Sequence, residues 1–207
     1  MRKTLLSQVG DEILRGFLAP PQYEKNIPDL KERDMSEQVF VSQSCAMPLV
    51  KDEDFGTEKD GSRSSIYCTY CYQKGEFTDP DATIEGIAEL GAGMISQMYG
   101  MPDDKARTFM TGQIQTLKRW SGRIVPTCQS CGMPLFTSAD AGTEKDGTES
   151  GAYCIHCYQN GMFTEPDLTH EGMIQKCTPM FAQMFEMQPE KAEEMVRVFT
   201  SCLSRWK

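Results

Sequence analysis

The chain contains the same long segment twice, at a fixed separation of 86 residues. The offset relates Cys68 to Cys154 and continues without an insertion to the two tryptophans, Trp120 and Trp206. A constant period of this kind indicates a duplicated structural unit. Since the chain has 207 residues, we predict an N-terminal extension over residues 1–41, a first unit over residues 42–121 and a second unit over residues 122–207.

The cysteines of the second unit form two Cys-x-x-Cys pairs. These residues are Cys128, Cys131, Cys154 and Cys157. Two such pairs at this separation are typical of a structural zinc site, in which four thiolates surround the ion and leave no open position. Sulfur ligands also suit iron, as in rubredoxin-like centres, but we favour zinc. The pattern therefore predicts one zinc ion that supports the fold.

The first unit keeps three of the four cysteines and has Ser42 at the position of the fourth. The three retained residues are Cys45, Cys68 and Cys71. Three thiolates with an open position are formally the arrangement of a reactive zinc. The alternatives are a metal that is completed by a substitute ligand and a site that has lost its metal. No histidine precedes His156, so a local histidine ligand is excluded, and a second zinc in this unit stays open.

The remaining cysteines and histidines carry weaker signals. Cys177 and Cys202 lie in helical patterns, where we expect buried thiols because a redox role needs exposure and a lowered pKa. His156 is expected to face solvent between two zinc cysteines, and His170 only opens a helix. We therefore predict no catalytic residue, and an enzyme is the less favoured interpretation.

An identical hexapeptide, Gly-Thr-Glu-Lys-Asp-Gly, occupies residues 56–61 and 142–147. Its glycine spacing is that of a phosphate-binding loop, but no Lys-Ser/Thr follows and the Walker pattern fails. Asp-Gly is a turn signal, so we expect a hairpin tip or an ordered loop. A recognition role for the charged residues remains the alternative.

Helical periodicity follows the cysteines in each unit. In the second unit Thr169 is predicted to cap one helix and Pro189 to open another. Two apolar stripes follow: Met173, Cys177, Met180, Phe181, Met184, and Ala192, Met195, Val196, Phe199, Cys202, Leu203, Trp206. The first unit repeats the pattern from Thr83 to Trp120. Each unit is thus predicted to end in two antiparallel helices whose apolar stripes fill a core. The less favoured alternative is an adaptable binding groove formed by methionines of these helices, namely Met94, Met98, Met101, Met180, Met184 and Met187.

The extension carries Leu6, Val9, Ile13 and Phe17 at helical spacing. This spacing predicts an amphipathic helix near residues 3–18, and a strand is predicted at residues 39–41. We favour a helix that packs on the units over one that docks on a partner.

The charge of the chain argues against nucleic acid as its partner. The formal net charge is −9, whereas nucleic-acid binding draws on basic surface. Protein is therefore the expected partner class. No apolar run reaches membrane-spanning length, and Asp11 and Glu12 interrupt any secretory leader. Thiols held on metal fit a reducing cytoplasm.

The repeated unit resembles a known family. The segments Cys-Gln-Ser-Cys-Gly-Met-Pro-Leu, Gly-Thr-Glu-Lys-Asp-Gly and Tyr-Cys-x-x-Cys-Tyr-Gln-Asn-Gly-x-Phe-Thr are similar to those of the putative zinc-ribbon domain family of small prokaryotic proteins with four-cysteine sites. The resemblance covers residues 128–207 closely and residues 42–121 with one ligand missing. It implies zinc on the cysteines named above. The family has no firmly established activity, and its link to transcription comes from relatives with additional regulator-type domains.

These features predict an α+β fold of two tandem zinc-ribbon units, each followed by a two-helix hairpin, with an N-terminal helical extension. The predicted function is a zinc-binding, non-enzymatic, cytoplasmic interaction or regulatory module. The alternatives are a transcription-linked nucleic-acid binder and an enzyme or thiol redox switch that uses the three-cysteine site. Since the linker between the units is short, we expect a monomer whose units pair through their helices in a pseudo-twofold arrangement.

Overall fold

The computed structural model describes Val39 and residues 41–207. The helix predicted near residues 3–18 lies outside the described residues, as does Phe40 of the predicted strand. Val41 forms an isolated antiparallel bridge with Pro48, and Thr127 forms the equivalent bridge with Pro134. The two units therefore begin in the same way.

Two short antiparallel hairpins follow in each unit. In the first unit β1 (Phe55–Thr57) pairs with β2 (Arg63–Cys68), and β3 (Tyr72–Gln73) pairs with β4 (Glu76–Phe77). In the second unit β5 (Ala141–Thr143) pairs with β6 (Glu149–Cys154), and β7 (Tyr158–Gln159) pairs with β8 (Met162–Phe163). A 3₁₀ turn precedes the first hairpin of each unit, at Asp52–Asp54 and at Ser138–Asp140.

Helices complete each unit. The first unit has α1 (Ile84–Tyr99), α2 (Asp103–Thr116) and the single turn α3 (Lys118–Ser121). The second unit has α4 (His170–Phe185), α5 (Pro189–Ser201) and a 3₁₀ turn at Ser204–Trp206. The Thr83 and Thr169 hydroxyls accept hydrogen bonds from Gly86 N and Gly172 N and so cap α1 and α4. Helices with small antiparallel sheets confirm the predicted α+β class, and two copies confirm the tandem repeat.

The identical hexapeptides form the tips of the first hairpins and fasten them to the second hairpins. A Cβ atom added to Gly142 would lie 2.2 Å from the backbone oxygen of Tyr158. The Tyr158 hydroxyl donates to the Glu144 carboxylate at 3.1 Å, and the first unit repeats this bond from Tyr72 to Glu58 at 3.2 Å. The glycines and the glutamate of the hexapeptide therefore have structural roles.

The largest apolar cluster draws on the helices of both units. Its buried members are Ala88, Ala92, Tyr99, Met101, Ala106, Phe109, Met110, Ile114 and Leu117 from the first unit, with Phe185, Met187, Ala192 and Met195 from the second. The rings of Phe109 and Phe185 meet edge to face at 5.1 Å, and Lys105 Nζ lies 2.9 Å from a Glu186 carboxylate oxygen. The helices of the two units therefore share one core. No described helix is long and apolar enough to cross a membrane.

Candidate metal centres

The fold brings the four cysteines of the second unit into one cluster. Cys128 and Cys131 lie on a tight turn, Cys154 ends β6, and Cys157 lies in the turn before β7. Their sulfur atoms all lie within 4.8 Å of one another, and the Sγ atoms of Cys131 and Cys154 are 3.7 Å apart. The structure thus places together every residue of the predicted four-thiolate site.

Backbone turns fix the positions of these sulfur atoms. Gly132 N donates to Cys128 O at 2.9 Å, and Cys157 N donates to Cys154 O at 3.0 Å. Gly132 has a φ of 81°, a left-handed conformation that glycine adopts at little cost. Each Cys-x-x-Cys pair therefore has its own turn. The β5–β6 hairpin lies between the two pairs in the chain, and its antiparallel pairing returns the chain so that the second pair lies beside the first.

The donor set fits a soft divalent cation. The hydrogen bond with Cys128 is the main cause that raises the pKa of Cys131 well above its ordinary value, followed by the bonds with Cys154 and Cys157 and by burial. Although burial opposes it, hydrogen bonds with Cys131, Cys154 and Cys157 lower the pKa of Cys128. Without a cation these four closely packed sulfur atoms cannot all carry negative charge, so some of them retain protons. Four sulfur ligands around one point are the usual environment of structural zinc, which deprotonates its thiol ligands.

The first unit forms a closely similar cluster from three cysteines. The sulfur atoms of Cys45, Cys68 and Cys71 lie within 4.8 Å of one another, and those of Cys45 and Cys68 are 3.7 Å apart. Ser42, at the position of the missing cysteine, is completely buried. Its Oγ accepts a hydrogen bond from Cys68 N at 3.2 Å.

We call each turn that carries a Cys-x-x-Cys pair, or its equivalent in the first unit, a knuckle; in the second unit the first knuckle is residues 128–131 and the second is residues 154–157. A contact that the sequence did not predict holds the first knuckle of the second unit. Trp206 Nε1 donates to Ser130 O at 2.7 Å, and the Arg205 guanidinium donates to Ser130 Oγ at 2.9 Å. The backbone N–H of Arg205 donates to Gln129 O at 3.1 Å, while Gln129 Oε1 accepts from Ser204 N at 3.2 Å. We call Arg205 and Trp206, with their first-unit equivalents Arg119 and Trp120, the Arg-Trp clamp.

The first unit repeats the clamp. Trp120 Nε1 donates to Ser44 O at 2.7 Å, and Arg119 donates to Ser44 Oγ at 3.1 Å. The guanidinium lies 4.0 Å from the ring centre of Phe77, as that of Arg205 lies 3.8 Å from the ring centre of Phe163. The available sequence signal was the identity of Gln-Ser and Leu-x-Arg-Trp in both copies.

The structure also places the remaining cysteines and histidines of the second unit. Cys177 packs against it, and burial raises the pKa of this thiol to about 12. Cys202 is buried as well. His170 does more than open α4, because its ring stacks on Trp206 at 5.5 Å and its Nε2 lies 2.8 Å from Thr200 Oγ1. His156 is partly exposed between two cysteines of the cluster.

Comparison with known proteins agrees with this geometry. The model of the family described as putative zinc ribbon domain matches the chain twice, over residues 41–121 and 127–207. No curated protein and no solved structure matches the chain.

Proposed function

The chain belongs to the putative zinc ribbon domain family, and we propose that it is a zinc-stabilised, non-enzymatic, cytoplasmic module that regulates by binding another protein. The observation that carries the proposal is the closed cluster of the second unit, whose ligands would be Cys128, Cys131, Cys154 and Cys157. Four thiolates fill the tetrahedral shell of zinc and leave no position for a substrate. The ion then acts on the fold rather than on a substrate.

The position of the cluster supports this structural role. The turn that carries Cys128 and Cys131 binds the Ser204–Trp206 turn through the Arg-Trp clamp, and Cys154 lies at the end of β6. A zinc ion at this point joins the hairpins to the helices. Units of about 80 residues bury little apolar surface and often depend on such a link.

Catalysis and thiol switching have less support. In the three-cysteine site hydrogen bonds with Cys45 and Cys71 lower the pKa of Cys68, but this side chain is completely buried, whereas a reactive cysteine also needs exposure. Burial raises the pKa of Cys177, so this thiol stays protonated near neutral pH. In the first unit the position that a catalytic water would take holds the buried Ser42 side chain.

Nucleic-acid binding also has less support, because many basic side chains are paired with carboxylates. Among the described residues the pairs are Lys51–Glu53, Arg63–Asp52, Lys105–Glu186, Arg107–Glu89, Lys176–Glu165, Lys191–Glu194, and Arg197 with Glu171 and Glu193. Together with the net charge of −9, this pairing reduces the positive charge that the described residues offer to phosphates. We expect no retention of random DNA by micromolar protein at moderate salt in a gel shift.

One face of α1 supports a protein partner. Leu90, Met94 and Met98 recur every fourth residue and are 71%, 61% and 55% exposed. Contiguous exposed apolar residues mark interaction sites, and α1 carries Glu85 and Glu89 but no basic residue. The partner that fits is a protein segment with apolar residues flanked by basic ones.

The structural role of zinc is tested by metal analysis of the full chain and of a Cys154→Ala/Cys157→Ala double variant, which removes two ligands and adds no oxygen donor. We expect this variant to contain one zinc equivalent less than the native chain, and its second unit to melt at a lower temperature, because metal binding supplies folding free energy. Cys202→Ser, which alters a buried thiol outside the cluster, is the control. An unchanged melting curve and helical signal in the metal-free double variant would contradict the proposal.

The interaction is tested by placing a photo-crosslinker at Met94 of the native chain in cell extract. We expect a crosslinked protein whose yield falls when Leu90→Lys and Met98→Lys are added, while a crosslinker at Gln115 on α2 captures none of it. Crosslinking to nucleic acid, or equal capture with and without the two lysines, would refute a protein partner on this face.

A further inference from the structure

Ser42 repeats the backbone contacts of the cysteine that occupies its position in the second unit. Ser42 N donates to Met47 O at 2.8 Å, as Cys128 N donates to Met133 O at 2.8 Å. Its Oγ accepts from the backbone N–H of Cys68 at 3.2 Å, and the Cys128 thiol accepts from the backbone N–H of Cys154. The serine side chain therefore has the direction of the fourth ligand.

The rest of the first site keeps the geometry of the complete one. The sulfur separation between Cys45 and Cys68 is 3.7 Å, the same as between Cys131 and Cys154. Ala46 is held at a φ of 62°, which is unfavourable for a residue with a Cβ atom. The turn thus has the left-handed conformation of its counterpart at Gly132 despite the cost for alanine. We expect this where the turn has to hold the cysteines in position for a metal.

The two donor sets differ in charge. Four thiolates give zinc a complex of net charge −2, whereas three thiolates and a neutral hydroxyl give a net charge of −1. A hydroxyl oxygen is also a harder and weaker donor for zinc than a thiolate is. The first site should therefore hold zinc less firmly, although its geometry is preformed.

We infer that the first unit is a second zinc site, with Cys45, Cys68 and Cys71 as thiolate ligands and the Ser42 hydroxyl as the fourth ligand, and that this zinc exchanges while the zinc of the second unit stays bound. The inference rests on the proposed zinc-binding function. It assigns the two copies different tasks: the second unit is a permanent support, and the first unit responds to the supply of zinc.

The test exchanges the two equivalent residues in the full chain, with the variants Ser42→Cys and Cys128→Ser. The measurement is the rate of zinc release to a chromogenic chelator. In the native protein we expect two equivalents of zinc, one of which is released at least about 10-fold faster than the other, on the scale known for altered zinc ligand shells. Ser42→Cys should slow the fast phase to the rate of the slow one. Cys128→Ser should instead make both phases fast.

Ser42→Ala separates the role of the hydroxyl from that of the three thiolates. We expect its first site to release zinc faster than the native one, and Ser42→Cys, which keeps an acceptor for Cys68 N, controls for loss of the buried hydrogen bond. Cobalt(II) absorption in each variant reports the number of sulfur ligands independently of release rates.

The outcomes are distinguishable. No zinc in the native chain would refute the proposed function itself. One slow equivalent that becomes two only in Ser42→Cys would refute the inference and leave the function standing, as would two equivalents that leave at equal rates. A fast phase that is unchanged by Ser42→Ala would exclude the hydroxyl as a ligand.

Discussion

At the scale of single residues, the duplication provides a natural comparison. Ala46 has a φ of 62° at the position where Gly132 has a φ of 81°. A Cβ atom on Gly132 would meet only Leu203 Cδ1, at 3.9 Å. The difference between the two turns is therefore a backbone cost, without a steric clash.

Exchanging these two residues should move stability in opposite directions. Ala46→Gly relieves a left-handed alanine, which costs roughly 1–2 kcal/mol, but adds glycine entropy of about 0.5–1 kcal/mol. We expect a net gain near the lower end of these values, and a similar loss for Gly132→Ala. Denaturant unfolding measures both; a loss of stability in Ala46→Gly would show that the turn is not strained.

The hydrogen bonds of the Arg-Trp clamp also depend on single residues. Arg205→Lys removes the planar donor that reaches Ser130 Oγ and, at 2.7 Å, Glu165 O. Hydrogen bonds from charged groups contribute about 1.5–3 kcal/mol, and lysine does not reproduce the geometry of arginine. We expect a lower melting temperature and faster zinc release.

Arg119→Lys should repeat this effect in the first unit, where the same contacts occur. The exposed neighbour Lys118, changed to arginine, is the control and should leave both measurements unchanged. Equal zinc release from all three variants would show that the clamp does not support the knuckle.

At the scale of elements, the hairpins are joined by close approach of their backbones. Gly56 and Gly142 lie against the carbonyls of Tyr72 and Tyr158, at which an added Cβ would be 2.1 and 2.2 Å away. Both carbonyls belong to the backbone, so they cannot move away as the end of a flexible side chain could. The contact therefore requires glycine, which accounts for its presence in both hexapeptides.

Gly142→Ala should consequently separate β5 from the β7 turn and displace the knuckle at Cys157. We expect loss of the zinc of the second unit, measured by elemental analysis. Gly147→Ala is the matched control in the same hexapeptide, because a Cβ there meets nothing within 4 Å and only the φ of 82° is unfavourable. Its cost should be about 1–2 kcal/mol, with zinc retained; full zinc in Gly142→Ala would contradict the close approach.

At the scale of the whole molecule, the two units share one core. Phe185 is 1% exposed and packs on Phe109 of the other unit, while Met101 is equally buried in the same cluster. In an isolated unit the apolar side chains of this cluster would lose the contacts that the other unit provides. The pseudo-twofold relation of the units remains a prediction.

Phe185→Ala should therefore destabilise the whole chain by about 3–5 kcal/mol, the usual cost of deleting a buried aromatic ring. Leu90→Ala, at an exposed position, should change stability little. In parallel, residues 38–121 expressed alone should melt well below the first unit of the intact chain. Identical melting of the fragment, with its full zinc, would show that the units are independent.

The repeat, the cysteine pairs, the helix caps and the α+β class could all be predicted from the order of residues along the chain. These features depend on spacing and local chemistry: Thr169 caps its helix through a bond to Gly172 N, three residues away. The same holds for the Asp-Gly tips, whose conformation is set within a few residues.

The neighbours of the Cys-x-x-Cys turns depend on packing between residues that are far apart in the sequence. Gln129 and Arg205 meet across 76 residues, and Phe109 meets Phe185 across the same distance in sequence. The pattern of a single sequence records which face of a helix is apolar but not which partner covers it. For the same reason Ser42 read as a lost ligand in the sequence, whereas the fold shows its hydroxyl directed at the backbone of Cys68, in the place of the cysteine that it replaces.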